Sequence, residues 1–528
     1  MSEQLGLTAQ RGLTTLQLGN IFLEGEPVIL GVSLPHTGVY RLQDTTGEAV
    51  LEGRVERNAG ELRLELPPGE RGHYLLRLEC AGQTYETTLA VLTPFDLSRI
   101  PDSPFGVCTH YGQLWGADTD PGAESKESPE SIPLVARAGF KTIRDELTWS
   151  RNEPVRGTCA FPNAHGHFMA RCGEHSVKTL AILNYANRHY DGGHTPHTDE
   201  GVDGFAAYAR RIVRRYGQQL RAVEVWNEFN GAFSNGPGAK RPEAYLKILK
   251  ATYHAVKEEQ PDLQVIGPAA VTLPYSWLER LFALGALEYL DGVSVHPYIF
   301  PRQPDTHQDS LDALLDKLQV LIRRYNDGQP KPLHLTEFGW PTQNNQGHFK
   351  DGVSVTRQAR YAVRSSVLAL AAGAEKLYWY TLNSSGPDPE KREHHFGLLH
   401  HPDDPKGAFT PKPAYVSLSV MLRELSAATF RGRDDTADGL FSFVFEREGQ
   451  PLRVMWLADR NGQPAGTREI TVNAAAPLEI TTMMGKTFQA EPREGRTTLT
   501  LSAEPIYVLG QAELERSGCW AGLKGLFG

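Results

Sequence analysis

A chain of 528 residues with 40% hydrophobic residues, 22% charged residues and a net charge of −9 has the makeup of a globular protein of roughly two to four domains. The mild acidity leaves no basic stripe for nucleic acid. Five scattered cysteines (Cys80, Cys108, Cys159, Cys172 and Cys519), with no CxxC spacing, support neither a zinc site nor a disulfide framework. The opening MSEQLGLTAQRGL lacks the apolar stretch of a signal sequence, and no apolar run reaches membrane-spanning length. As written, the chain reads as cytoplasmic, or as secreted or periplasmic where a signal has been removed.

Residues 1–98 read as all-β. The runs TTLQLGN, PVILGVSL, GVYRLQD, ELRLELPP, HYLLRLECAG and YETTLAVL are short, often alternating, and separated by turn residues, a pattern that predicts a small β-sandwich. The proline-bearing PFDLSRIPDSP reads as a linker. From Phe105 the pattern becomes strand then helix, repeated. Strands are predicted at FGVCTHY, KTIRDE, VKTLAILNY, AVEVWNE, LQVIGPAA, GVSVHPY, LHLTEFG and KLYWYTL. Helices are predicted at IPLVARAG, GFAAYARRIVRRYG, EAYLKILKATYHAVKEEQ, LDALLDKLQVLIRRYND and TRQARYAVRSSVLALAAG, with a last one from PKPAYVSL to about Leu425. Eight such units over residues 99–427 predict an α/β fold, a (β/α)8 barrel. An open doubly wound sheet is the runner-up, but its glycine-rich turn after the first strand is replaced by THYGQLWG. Residues 428–512 return to short β runs and predict a C-terminal β-sandwich-like domain. Residues 513–528 form a tail.

Functional residues of a barrel sit at the C-terminal ends of its strands. VEVWNEFNG places Glu228 at the end of the fourth strand, and HLTEFGWPT places Glu337 at the end of the seventh. Two carboxylates at neighbouring strand ends are what glycoside hydrolysis requires, one protonated as general acid and one ionised. The competing readings are solvated loop glutamates or ion pairs, a non-catalytic carbohydrate-binding barrel, and a metal-dependent barrel enzyme.

The order of WNE on the fourth strand and TEFGW on the seventh resembles clan A retaining glycoside hydrolases. It is most similar to family 39 and its relatives, with families 5 and 51 less close. That resemblance covers the barrel and the C-terminal domain and leaves the N-terminal domain unexplained. It implies an O-glycosyl hydrolase acting on an oligo- or polysaccharide with no cofactor or metal, which agrees with the absence of a nucleic acid partner and of a membrane span expected from charge and hydropathy. By the same resemblance Glu228 is the acid/base, Glu337 the nucleophile, and Asn227 a ligand of the sugar 2-hydroxyl.

Other strand-end residues fit the same template. Arg144 would hold Glu337 ionised; the competing reading pairs it with Asp145 or Glu146. His296 and Tyr298 end the sixth strand and would touch the nucleophile. Trp379, on the eighth, would floor the sugar site. Asn184 and His110, with Tyr111, are candidates for binding hydroxyls. Trp115, Trp149, Phe233 and Trp340 are loop aromatics, read as sugar platforms or packing. His189, His194 and His197 match no zinc spacing, and the His394–His395 and His400–His401 pairs lie in a long loop after the eighth strand that is a candidate cover for the cleft.

Overall fold

The structure, a computed structural model, describes residues 13–514 other than 68, 101, 118–119, 121, 306–308, 343–351, 435–438 and 460–462. Cys519 and the rest of the expected tail from 515 onward lie outside the described residues. Eight parallel strands close into a barrel. They are β1 (Phe105–Cys108), β2 (Thr142–Glu146), β3 (Lys178–Leu183), β4 (Leu220–Val225), β5 (Gln264–Val271), β6 (Gly292–His296), β7 (Leu333–Phe338) and β8 (Ala374–Trp379). One main helix follows each strand: α1 (Ile132–Ala138), α2 (Asn163–Glu174), α3 (Asp199–Tyr216), α4 (Pro242–Glu259), α5 (Tyr275–Ala283), α6 (Leu311–Tyr325), α7 (Val355–Ala371) and α8 (Pro413–Leu425). Among the described residues no helix is long and apolar enough to cross a membrane.

The strands are buried on both faces, as parallel strands wrapped in helices must be. Cys108, Leu180, Ala222, Ile266 and Tyr378 fill the barrel interior. Gly106 is needed there because a Cβ would come 2.4 Å from the Tyr378 ring. Polar residues on these strands therefore have no route to bulk water along the strand and must find partners inside.

Residues 13–92 form two facing sheets of three and five strands around a core that includes Leu30, Leu62, Leu76, Leu78 and Leu89. The strand Ala49–Val55, absent from the sequence expectation, is the half-exposed edge of the larger sheet. Its alternation is blurred by charged residues and glycine. This unit grips the loop between β8 and α8. His73 Nε2 lies 3.0 Å from the Pro411 carbonyl, the Thr88 hydroxyl donates to that carbonyl at 2.7 Å, and the Thr87 hydroxyl donates to the Lys406 carbonyl at 2.5 Å.

Residues 428–514 form a six-stranded and a three-stranded sheet. Glu513 and Leu514, assigned to the tail from sequence, pair instead with Asn473 and Val472. Between this unit and the barrel lies a buried charge group. Arg364 of α7 donates to Asp305 at 3.0 Å and to Asp459 at 2.9 Å, and also to the carbonyl of Ala503. Removing one partner of such a group strands the others without water. Arg364→Ala should therefore cost about 3–5 kcal/mol, seen as a lower urea midpoint. An unchanged midpoint would show that the two aspartates are accommodated without the guanidinium.

Candidate active site

Arg144, on β2, points into the mouth of the barrel and is buried. Its Nε donates to Glu224 Oε2 at 2.7 Å, one terminal nitrogen to Glu337 Oε1 at 2.6 Å, and the other to Asn227 Oδ1 at 2.7 Å. A guanidinium has donors in a fixed fork and no acceptor, so one side chain fixes three acceptors from β4, its following loop and β7. The expected alternative partners, Asp145 and Glu146, are otherwise engaged. Asp145 accepts from the Thr109 hydroxyl and from the backbone N–H groups of Tyr111, Gly112 and Glu146, and so shapes the loop after β1.

Glu337 reaches the site through a break in register. Leu335 pairs with Leu377 and Phe338 with Trp379, so β7 carries one residue more than β8 over this stretch. Leu333 and Leu335 pack toward the helices, and strict alternation would send Glu337 the same way. The extra residue re-aims it inward. On β4 the turn is made by Trp226 (φ 70°) and Glu228 (φ 47°), both in the left-handed region that bulky residues rarely adopt. The Trp226 indole N–H donates to the Phe233 carbonyl at 3.2 Å, and the Glu228 N–H to the Ala269 carbonyl at 3.0 Å. These bonds hold the turn.

One carboxylate oxygen of Glu228, one of Glu337 and a ring nitrogen of His296 all lie within 4.8 Å of one another. His296 Nδ1 is 2.9 Å from Glu228 Oε1 and 3.6 Å from Glu337 Oε2. Its Nε2 faces Arg144, which can only donate, at 3.4 Å, and the Thr336 hydroxyl at 3.2 Å. Nδ1 is thus the ring nitrogen turned toward the carboxylates. The Tyr298 hydroxyl donates to Glu337 Oε2 at 2.8 Å. Burial pushes the Glu337 carboxyl up, but His296, the Arg144 charge and the Tyr298 hydrogen bond outweigh it and hold Glu337 below the usual carboxylate range.

Glu228, Glu337, Asn227, Arg144, His296 and Tyr298 thus converge at one point. His110 lies at the edge of the same cavity, its Nδ1 3.3 Å from Glu146 and its Nε2 3.3 Å from the Tyr380 hydroxyl. Burial would lower its pKa, but Glu146, with Glu127 and Asp145, lifts it to about 10, so His110 is a cation at neutral pH. Asn184 is buried just beyond β3 on the face that Leu180 shares, and neither polar atom of its side chain has a hydrogen-bond partner. Tyr111 bonds Ser131 and is fully buried, so it braces the β1 loop instead of lining the cavity.

Trp379 does not floor the site. Tyr378 faces the barrel interior, so Trp379 faces outward, packed on Phe338 (ring centroids 5.5 Å apart) and stacked on Trp340 (6.1 Å). The next inward position belongs to Tyr380, whose ring meets His110, Tyr298 and Phe396. The strand was read correctly and its face was not, since alternation has only two phases and the sequence alone left them undecided. Trp149 and Trp340 are likewise buried packing residues. Trp115 is 63% exposed beneath the Lys126 ammonium, and Phe233 is 48% exposed.

Sequence reasoning passed over Glu224, Thr336 and Tyr380, and read Glu146 only as a partner for Arg144. A readable signal existed for Glu224, because a carboxylate inside a fully buried parallel strand requires a buried cation. The loop histidines are dispersed: His189 bonds the Pro154 carbonyl, His197 the Thr195 carbonyl, and His400 bonds Asp404. Among the described residues, Glu228, His296 and Glu337 are the grouping with metal-ligand spacing. There the adjacent Arg144 charge opposes a cation at Glu337.

No family model and no curated protein matches the sequence. Solved structures do share its fold. A family 39 glycoside hydrolase from the gut symbiont Bacteroides cellulosilyticus WH2 superposes with a TM-score of 0.76 at 23% identity, over 94% of this chain and 100% of that one. A monomeric beta-xylosidase from Caulobacter crescentus CB15 gives 0.53 at 14% identity, over 79% and 98%. A family 39 enzyme from Xanthomonas axonopodis pv. citri gives 0.51 at 15% identity, over 80% and 96%. At these identities the likeness is one of fold.

Arg144→Ala removes a positive charge from beside Glu337, so the Glu337 carboxyl should take up its proton at a higher pH than in the parent protein. Titration of 13C-labelled glutamate carboxyl signals, with Glu337→Gln to identify the resonance, measures this. A titration that stays in place would mean that His296 and Tyr298 alone set the ionisation.

Proposed function

We propose that this protein is a retaining glycoside hydrolase that cleaves an oligo- or polysaccharide by double displacement, with Glu337 as nucleophile and Glu228 as acid/base. The observation that carries the reading is the pair of carboxylate oxygens within 4.8 Å of one another in unequal surroundings. Retaining enzymes hold their two carboxyl groups about 5–5.5 Å apart, and inverting ones about 6.5–9.5 Å, to admit a water between sugar and base. The spacing here favours direct attack by a carboxylate.

The roles follow from the partners. Glu337 is tied to a guanidinium and a phenol, which keep it ionised and aimed. Glu228 meets His296 Nδ1 and keeps its other oxygen for the leaving group. In the first step Glu337 attacks the anomeric carbon while Glu228 gives its proton to the departing oxygen. In the second, Glu228 takes a proton from water, which displaces Glu337 and returns the anomeric configuration of the substrate. Asn227 spends its Oδ1 on Arg144, leaving its amide N–H groups for a sugar hydroxyl. The unpartnered Asn184 and the Tyr380 hydroxyl beside His110 supply further hydroxyl contacts.

The likeness to a beta-xylosidase puts xylosides in a first panel of nitrophenyl glycosides. A metal-dependent reading draws on the Glu228–His296–Glu337 grouping, and turnover that is lost to a chelator and restored by a divalent ion would favour it. Carboxylate chemistry is expected to persist in the chelator.

Two variants separate the roles. Glu337→Ala should lose nearly all turnover on every active substrate. Glu228→Ala should lose about 10²–10⁴-fold on poor leaving groups, yet keep its first step with acidic phenols. Azide, which needs no deprotonation, should then give Glu228→Ala a glycosyl azide of the substrate's own configuration, and Glu337→Ala the opposite anomer. Reversed stereochemistry would exchange the two roles. Full activity in both variants would place the chemistry elsewhere.

A further inference from the structure

We propose that Phe233 and Tyr185 form the leaving-group subsite, a flat aromatic wall that receives the apolar face of a sugar ring or aryl group on the Glu228 side of the scissile bond. This rests on the hydrolase reading above and adds to it what the departing part of the substrate must look like.

The placement follows from the chemistry. A general acid must touch the oxygen that leaves, so the leaving group lies against whatever carries Glu228. That is the loop from Trp226 to Lys240. Within it Phe233 is 48% exposed, the largest outlying apolar surface of the loop. A lone exposed phenylalanine needs no explanation, but this one is built in. Its ring stacks on Tyr185 with centroids 5.5 Å apart and planes 13° apart. Tyr185 in turn stands edge-on to Trp226, centroids 6.0 Å apart. The Trp226 indole N–H holds the Phe233 carbonyl, so the residue two before the acid/base also fixes the platform.

The loop is braced on both sides of Phe233. The Ser234 hydroxyl donates to the Phe229 carbonyl at 2.7 Å and accepts from the Lys240 N–H at 2.9 Å. Asn235 exchanges hydrogen bonds with Thr195 on the loop after β3, the N–H of each donating to the side chain of the other at 2.8 Å. A rigid loop that holds an apolar ring in water has accepted the cost of that exposure in the free protein. Tyr185 links the platform to the centre: Glu146, Glu337 and Arg144 all act electrostatically on its hydroxyl, and burial with the two carboxylates pushes its pKa up. Tyr185 thus stands within electrostatic reach of the carboxylates, while Phe233, stacked on it, is open to solvent. Flat rings of this kind stack on the C–H face of a pyranose or on an aryl ring.

The test uses the sugar whose 4-nitrophenyl glycoside the parent protein cleaves, and compares kcat/KM for that glycoside, for the corresponding disaccharide and for the glycosyl fluoride. All three share the glycone, but fluoride presents no ring to the platform. Phe233→Ala should lower kcat/KM roughly 2- to 12-fold for the disaccharide and the aryl glycoside, the range for an aromatic pair, and leave the fluoride unchanged. Phe233→Trp should restore the parent pattern. An equal loss on all three substrates would reduce Phe233 to a brace for the Glu228 turn, and no loss on any would remove the subsite, in both cases with the hydrolase reading intact. A parent protein inert on every glycoside would overturn that reading and the subsite with it.

Discussion

A guanidinium buried at the mouth of a barrel has to be surrounded by acceptors, and the rest of the site is arranged around that demand. Arg144 meets it with Glu224, Glu337 and Asn227. Glu224 lies on β4 inside the barrel, fully buried, so Arg144 is held from within the barrel independently of Glu337 and Asn227. The second carboxylate, Glu337, shares the same cation from above and has the Tyr298 hydroxyl on its other oxygen. Such a network gives weak net stability, since the desolvation of each ion offsets its attraction. What it supplies is position: one planar fork sets the angle of a carboxylate and an amide on different strands. Backbone strain at Trp226 and the extra residue in β7 are the local distortions that bring Glu228 and Glu337 to the same place.

The N-terminal unit bears on the site through the loop after β8. That loop delivers Phe396 against Tyr298 and Tyr380, with ring centroids 6.1 and 5.3 Å apart. Its far end is clasped by His73, Thr87 and Thr88 of the N-terminal sandwich. Tyr298 bonds Glu337 directly, so a chain of packed rings and hydrogen bonds runs from the sandwich to the proposed nucleophile. The N-terminal sheets, which resemblance to known hydrolases left without a role, are joined to the barrel at the loop that also carries Phe396.

Much of this was legible in the chain. Eight apolar strand runs, each ending in a polar cluster, gave the barrel, and the two WNE and TEF ends located Glu228 and Glu337. Two of the eight barrel helices escaped notice. Asn163–Glu174 carries two glycines and five further residues of weak helix propensity, and Tyr275–Ala283 is only nine residues long. Trp379 was misplaced because a one-residue change of phase moves a side chain from the cavity to the helix layer. The inward turn of Glu337 has a cause invisible in sequence, an extra residue in β7 that no alternation rule signals. Tyr380 was missed and Glu146 was read only as a partner for Arg144, since both meet His110 from the loop after β1, a contact made only when the sheet closes.

The central claim, that Glu337 becomes covalently attached to the sugar, can be put to one direct measurement. A 2-deoxy-2-fluoro glycoside with a good leaving group slows the release of the intermediate, because the electronegative fluorine destabilises the positive charge of both transition states while the leaving group favours the first step. Incubation followed by proteolysis and mass spectrometry should find one fluoro-glycosyl unit, on the peptide containing Leu333–Trp340 and at Glu337. A label at Glu228 would invert the assignment. Turnover of the same substrate with no label, and with product of inverted configuration, would contradict the covalent account outright.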